Sequence, residues 1–314
     1  MVSEHVAPAR VVEIATPGRY LSMHRGFLVV KGGGMPDGKT QLDDIGCLII
    51  AAPGASISTN LVAALAERNV PVVTVGGNFL PACMLFPLTG SGLLASRLQA
   101  QAESKLPTRK RLWADVIRRK IAAQSALLER FDHRYVMRLR DMARRVRSGD
   151  PDNFEAQAAR LYWRGLMGKT FRRDRALPGA NALLNYGYTV LRAATARAIC
   201  AAGLHPMLGL HHLTRGDGLR LADDLMEPFR PAVDMVVKSL ADEKHTDLDA
   251  AAKAQLVSAI NADYKTAAGT TPLSSCLVRL AQSVGDVFLG QRRAAEFPVS
   301  PLPLPESAAG REQE

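Results

Sequence analysis

Nothing in the 314-residue chain is long and apolar enough to span a bilayer, since no uninterrupted apolar run reaches about 18 residues. The opening stretch MVSEHVAPARVVEIATPG lacks the charged-then-apolar layout of a secretory leader, so a cytoplasmic protein without a membrane partner is expected. Cysteine is scarce: Cys47, Cys83, Cys200 and Cys276 are scattered, with no C-x-x-C among them. That excludes a disulfide framework or a zinc cluster and leaves all of them as small core residues. Aromatics make up only 5% of the chain, too few for the stacked rings that line sugar sites, which speaks against a glycosidase with paired carboxylates. No internal repeat is visible. The string GKT at 168–170 does not complete a phosphate loop, because the first glycine of G-x-x-x-x-G-K would fall on Trp163 and no strand pattern precedes it.

What the chain does have is positive charge. The net charge is +10 and the pI near 9.7. Between Lys105 and Arg147 there are 14 Lys or Arg against four acids, so this one segment carries a surplus equal to that of the whole chain. A one-signed, concentrated surplus points to a polyanionic partner held through phosphates, beyond an ordinary solvated helix face.

The hydrophobic period changes along the chain. Residues 10–88 hold short β-branched or apolar runs (VVEIA, YLSM, FLVV, CLIIA, PVVTV) punctuated by Gly and Pro, the pattern of strands. Within them KGGGMPDGK reads as a hairpin loop, and NLVAALAER as one helix capped by Ser58 or Thr59. LTGSGLL at 88–94 marks a boundary. From residue 95 the spacing is helical. Apolar residues recur at 112/113, 116/117, 121, 127/128 and 131, and ALPGANALLNYGYTVLRAATARAICAAG opens with a Pro and closes with a Gly. Further helices are predicted at 220–240, 248–262 and 273–294. The expectation is an α+β protein. It has a small N-terminal β-rich domain at 1–88, a linker at 89–94, a larger all-α domain at 95–295 and a Pro-rich disordered tail at 296–314.

Two stretches carry acids where packing residues should be. In DPDNFEAQAARLYWRGL, Asp152 or Asn153 can cap a helix on which Glu155 shares a face with Ala158, Ala159 and Tyr162. A first-turn Glu favoured by the helix dipole is the ordinary explanation. In LADDLMEPFRP, Asp224 and Glu227 share a face while Asp223 points elsewhere and suits a cap. Pro228 and Pro231 kink the helix early. Just upstream GLHHLTRGDG holds the pair His211 and His212. One His with two or three carboxylates is a mixed nitrogen–oxygen set that suits Mg²⁺ or Mn²⁺ better than zinc. Acids that hold a cation inside a basic protein that holds phosphates are the parts of a metal nuclease.

EAQAARLYWRGL, PGANALLNYGYTVLRAATARAICAAGLHPMLGLHH and LADDLMEPFRP, in this order, resemble the CRISPR-associated endonuclease one family, the integrase of spacer acquisition, in its type II form. The β-rich stretch AAPGASISTNLVAALAERNVPVVTVGGNFLPACMLFP is similar to that family too, and the resemblance covers roughly residues 10–295. It implies three metal ligands and catalytic residues: Glu155 on the E-x-x-A-A-R helix, His212 in the G-x-x-H turn from Gly209, and Glu227 closing D-L-M-E. His211 is then a neighbour, Asp224 an additional site candidate, and Asn181 and Tyr188 supports for the site or DNA. The interval LTRGDGLR has the family's length but not its usual Asn and Phe.

The same resemblance implies the reaction and the partners. A 3′-hydroxyl of incoming double-stranded DNA attacks a phosphodiester at the edge of a CRISPR repeat, with Mg²⁺ or Mn²⁺ at the ligands. The 1–88 domain serves homodimerisation, the 95–295 domain catalysis and DNA binding, and CRISPR-associated protein two joins the dimers. Arg172, Arg173 and Arg175 join the 105–147 segment as candidate phosphate contacts. The competing expectation is a non-catalytic DNA-binding scaffold whose acids only cap helices.

Overall fold

The structure is a computed structural model that describes residues 10–68, 70–76, 81–85, 93–131, 133–211 and 218–305. Strands come first and helices follow, the α+β order expected from the change in period. The first part comprises β1 (Arg10–Ile14), β2 (Arg19–His24), β3 (Phe27–Gly32), β4 (Gly38–Gln41), β5 (Ile45–Ile50), β6 (Ser56–Ile57), helix α1 (Thr59–Glu67), β7 (Val72–Val75) and β8 (Pro81–Leu85). They form two sheets, ordered β1-β5-β7-β8 and β4-β3-β2-β6. In the first, β1, β5 and β7 run parallel and β8 returns antiparallel. In the second, β2, β3 and β4 form an antiparallel meander, and β6 adds parallel to β2.

Period-2 alternation decides which side of each strand is buried. In β3, Leu28 and Val30 face the core while Phe27 and Val29 are only half-buried. Leu21, Leu28, Leu42, Leu48, Leu61 and Leu65 meet between the sheets and α1. Ser58 caps α1 by accepting from the Leu61 amide at 3.3 Å. The triple glycine turns β3 into β4, as expected of a hairpin loop. A Cβ at Gly33 would lie 2.6 Å from the Pro17 carbonyl oxygen, and φ there is +66°.

The second part is built from α2 (Leu93–Ala102), α3 (Leu106–Leu128), α4 (Val136–Arg145), α5 (Phe154–Leu166), α6 (Ala180–Ala201), α7 (Arg220–Leu225), α8 (Arg230–Asp242), α9 (Ala250–Ser258) and α10 (Leu273–Phe288). A short antiparallel hairpin, β9 (Asp263–Thr266) and β10 (Gly269–Pro272), interrupts the helices before α10. One continuous apolar core runs through α3–α10. Gly187 lets α6 approach α8 closely, since a Cβ there would meet the Val233 side chain at 2.4 Å. The sheet and the bundle touch where Cys47, Ile49 and Val73 pack against Cys200 near the end of α6.

Three expectations need correction or delimiting. Most of the expected linker, 89–92, lies outside the described residues, and α2 begins at Leu93. The tail from 296 is not free over 296–305. The Glu296 amide donates to Ser283, the Val299 amide to the Lys265 carbonyl and the Leu304 amide to the Asp263 carbonyl, and Leu302 is buried. Proline removes donors but leaves the acceptors and the intervening amides, so the segment docks on β9; residues 306–314 lie outside the described residues. Cys47, Cys200 and Cys276 are core thiols as expected, but Cys83 is exposed on β8.

Candidate active site

Three segments distant in sequence meet at one ammonium. The α3 apolar stripe that buries Trp113, Val116, Ile117 and Ile121 also turns Lys120 inward. Its Nζ lies 2.7 Å from Glu155 Oε1 and 2.6 Å from Glu227 Oε2. Arg230 pairs with the other Glu227 oxygen, Oε1, at 2.9 Å. Burial alone would lower the pKa of Lys120, but Glu227 and Glu155 outweigh it and hold the group protonated. The 105–147 surplus is therefore not all surface: Lys120 belongs to the core, while Arg111, Arg134, Arg138, Arg144 and Arg147 stay exposed.

Local sequence explains how each acid arrives. Asn153 caps α5 from a left-handed conformation (φ 53°) and accepts from the Ala156 amide, and Asp150 accepts from the Phe154 and Glu155 amides. That fixes the first turn of α5, with Glu155 half-buried beside Ala158 and Tyr162. Asp152 takes no part in the cap and pairs with Arg147 instead. In LADDLMEPFRP, α7 ends at Leu225, Glu227–Phe229 tighten into a 3₁₀ turn around Pro228, and α8 restarts with Pro231 in its first turn, where no amide donor is needed. The kink turns Glu227, 5% exposed at its side chain, toward α3.

The remaining acids differ in their work. Asp223, suited by sequence to a cap, makes no cap. It pairs with Arg192 of α6 through both carboxylate oxygens, at 2.7 and 2.9 Å. Asp224 is fully buried, and its Oδ2 accepts from the Leu210 and His211 amides at 2.6 and 3.1 Å. It fixes the backbone immediately before His212. His212 itself, with residues 213–217, lies outside the described residues. His211 stacks flat on Trp113, with ring centroids 4.4 Å apart.

Behind the acids lies a polar network that includes Tyr188, expected from the sequence as a support, and is centred on Asp234, which the sequence did not single out. Asp234 of α8 accepts from the Tyr162 hydroxyl at 2.6 Å and the Tyr188 hydroxyl at 2.5 Å. Burial raises its carboxyl pKa to about 6, although both hydroxyls and the cations Arg230 and Arg173 pull the other way. Arg230 lies over the Tyr188 ring, so the network reaches Glu227 through Arg230. Asn181, buried, accepts from Arg173 and the Asp174 amide and donates to the Arg172 carbonyl. Asn181 thus shapes the loop that exposes Arg172 and Arg175.

Among the described residues, no group of three or more His, Cys, Asp or Glu could hold a metal ion. The two carboxylates that do converge already share one cation, the Lys120 ammonium, which stands where a hard ion with oxygen ligands would fit. Glu155 and Glu227 are thus the pair of carboxylates that could hold a hard divalent ion. No described helix is long and apolar enough to cross a membrane.

The chain is similar to known proteins in both sequence and fold. A family model described as CRISPR associated protein Cas1 matches residues 12–260. The chain is 37% identical over 227 residues to the CRISPR-associated endonuclease Cas1 of Neisseria meningitidis serogroup C (strain 8013), covering 72% of this chain and 74% of that protein. Its fold is similar to that of a casposase bound to integration product, with TM-score 0.73 at 20% identity over 92% of this chain and 98% of that one. A chain of a partial Cas6-RT-Cas1–Cas2 complex is similar with TM-score 0.68 at 17% identity, over 90% of this chain and 96% of that one.

Proposed function

This chain belongs to the CRISPR-associated Cas1 family, and on that premise we propose that it is a metal-dependent DNA integrase of CRISPR adaptation. The observation that carries the reading is the convergence of Glu155 and Glu227, from separate helices, on a single cation inside a basic protein. The incoming 3′-hydroxyl attacks a phosphodiester at the repeat edge; a new P–O bond forms and the original one breaks. Glu155, His212 and Glu227 would hold Mg²⁺ or Mn²⁺. When bound, that ion polarises the phosphoryl oxygen and stabilises charge on the attacking and leaving oxygens.

The chain's own residues prepare the site. Asp224 pins the backbone ahead of His212. Arg230, braced on Tyr188, orients Glu227. The exposed arginines of α3, α4 and the 172–175 loop hold the DNA backbone without reading bases. The proposal extends to work in the cytoplasm as a homodimer, with the small Cas2 protein joining dimers on double-stranded DNA. The Cas1–Cas2 complex among the similar folds supports that partnership.

A half-site integration assay with Mn²⁺ tests the reading. Glu155→Ala, His212→Ala and Glu227→Ala should each abolish strand joining while retaining DNA binding. Full joining by all three variants would falsify the assignment. One observation favours the alternative of a non-catalytic scaffold: the carboxylates are already neutralised by Lys120 and Arg230, as in a purely structural ion cluster. Calorimetric titration with Mn²⁺ separates the two, because a scaffold takes up none.

A further inference from the structure

The charges at the site balance before any metal arrives. Glu155 and Glu227 supply two negative charges, and Lys120 and Arg230 two positive ones. Both Glu227 oxygens are engaged, Oε2 by Lys120 and Oε1 by Arg230, and the site-facing Glu155 oxygen is engaged by Lys120 as well. A divalent ion added to this arrangement would leave a buried excess of two positive charges, which a low-dielectric interior resists. Two changes relieve that excess: withdrawal of the ammonium and arrival of an anion.

The two cations differ in their ability to move. Arg230 is held over the Tyr188 ring and paired with Glu227 Oε1, and its guanidinium is a rigid planar fork. Lys120 is a compact charge on a flexible four-carbon stem, paired with both carboxylates of the site. Its side chain keeps 11% exposure, and Glu155, on the open side, keeps 26%. The four-carbon stem is therefore the member of the cluster whose charge can change position by rotamer alone. Where DNA lies over the site, the anion that receives the ammonium is a phosphate.

We infer that Lys120 is an exchangeable internal cation: it holds Glu155 and Glu227 together in the metal-free protein, yields them to the divalent ion, and passes to a phosphate of the bound DNA. Metal and DNA then bind cooperatively, because each supplies what the other's binding displaces. Lys120 also keeps the carboxylates from spreading before the metal arrives, so the metal-free site stays folded. This inference rests on the metal-site reading above.

The test measures Mn²⁺ affinity by electron paramagnetic resonance, with and without duplex DNA. Lys120→Met should bind Mn²⁺ about ten- to a hundred-fold more tightly than wild type in the absence of DNA, the range of one competing charge-assisted contact. DNA should tighten Mn²⁺ binding to wild type, and this gain should shrink in Lys120→Met. Mn²⁺ affinity in a folded Lys120→Met equal to or below that of wild type overturns the inference.

A measurement on the wild type alone guards against misfolding of the variant. Lysine acetylation followed by mass spectrometry should find Lys120 protected without metal, several-fold more reactive with Mn²⁺, and protected again when DNA is added. Reactivity unchanged by Mn²⁺ overturns the inference just as well. Glu227→Gln serves as the control for the underlying reading. If wild type and Glu227→Gln bind Mn²⁺ equally, the metal site is misassigned; if only Glu227→Gln loses Mn²⁺ while Lys120 stays protected throughout, the site stands and the exchange does not.

Discussion

The sheet part and the helical part of this molecule are held together by different kinds of interior. Every buried polar or charged side chain among the described residues lies in the helical part, from Gln101 to Ser283, and they include Lys120, Asn181, Asp224, Glu227 and Asp234. The cluster between the sheets and α1 is filled with Leu, Val, Ile and Ala. An apolar core needs only the right volume and period, whereas a buried charge needs its partner in place. The sheet part is thus built for shape, and the helical part carries the cost of buried charge, at the residues proposed to do chemistry among others.

Four variants would break or sharpen this contrast. The largest effect is expected at Glu227→Ala. It should abolish strand joining and also destabilise the protein by about 3–5 kcal/mol in urea unfolding, because Lys120 and Arg230 lose a shared buried partner. Leu28→Ala in the sheet core should cost about 2–5 kcal/mol by the same measurement, yet leave Mn²⁺ affinity unchanged. If Leu28→Ala weakened metal binding as strongly, the separation of roles between the two parts would collapse.

The third test is Asp234 and pH. Its carboxyl pKa is raised from 3.8 to about 6 in the folded protein, so the native state binds the extra proton. Its contribution to stability is therefore full below about pH 4, falls as pH rises to about 6, and stays lost above, by up to about 3 kcal/mol. Asp234→Asn should remove that part of the pH profile; an unchanged difference between pH 4 and pH 7 would contradict the buried network. The smallest effect is expected at the surface. Arg138→Ala combined with Arg144→Ala should leave melting nearly unchanged and reduce the salt slope of DNA binding by about 0.9 per lost phosphate contact. An identical slope would mean that α4 does not face the duplex.

Much of this was legible along the chain. The switch from period 2 to period 3.6 separated sheet from bundle, Pro228 and Pro231 announced the break between α7 and α8, and the acids of EAQAAR and LADDLMEP stood out against apolar frames. Lys120 does carry a signal: it occupies a slot in the stripe 113, 116, 117, 121, where an apolar residue is due. As one of 14 Lys or Arg between Lys105 and Arg147, it is hard to tell from surface charge. Asp224 stayed ambiguous because its partners are backbone amides, which any residue at 210 or 211 would supply. Asp234 had no local mark at all.

By itself the sequence determined the period of each element, where helices start and break, the net charge, and the family to which its motifs point. These depend on residues a few positions apart, so they can be read in one dimension. Only the tertiary structure decided which charges meet. Lys120 and Glu155 are 35 positions apart, and Tyr162 and Asp234 are 72 apart. Such pairs exist because helix packing buries several like stripes in one core, and a buried ion is tolerated only beside the counter-ion that packing brings to it.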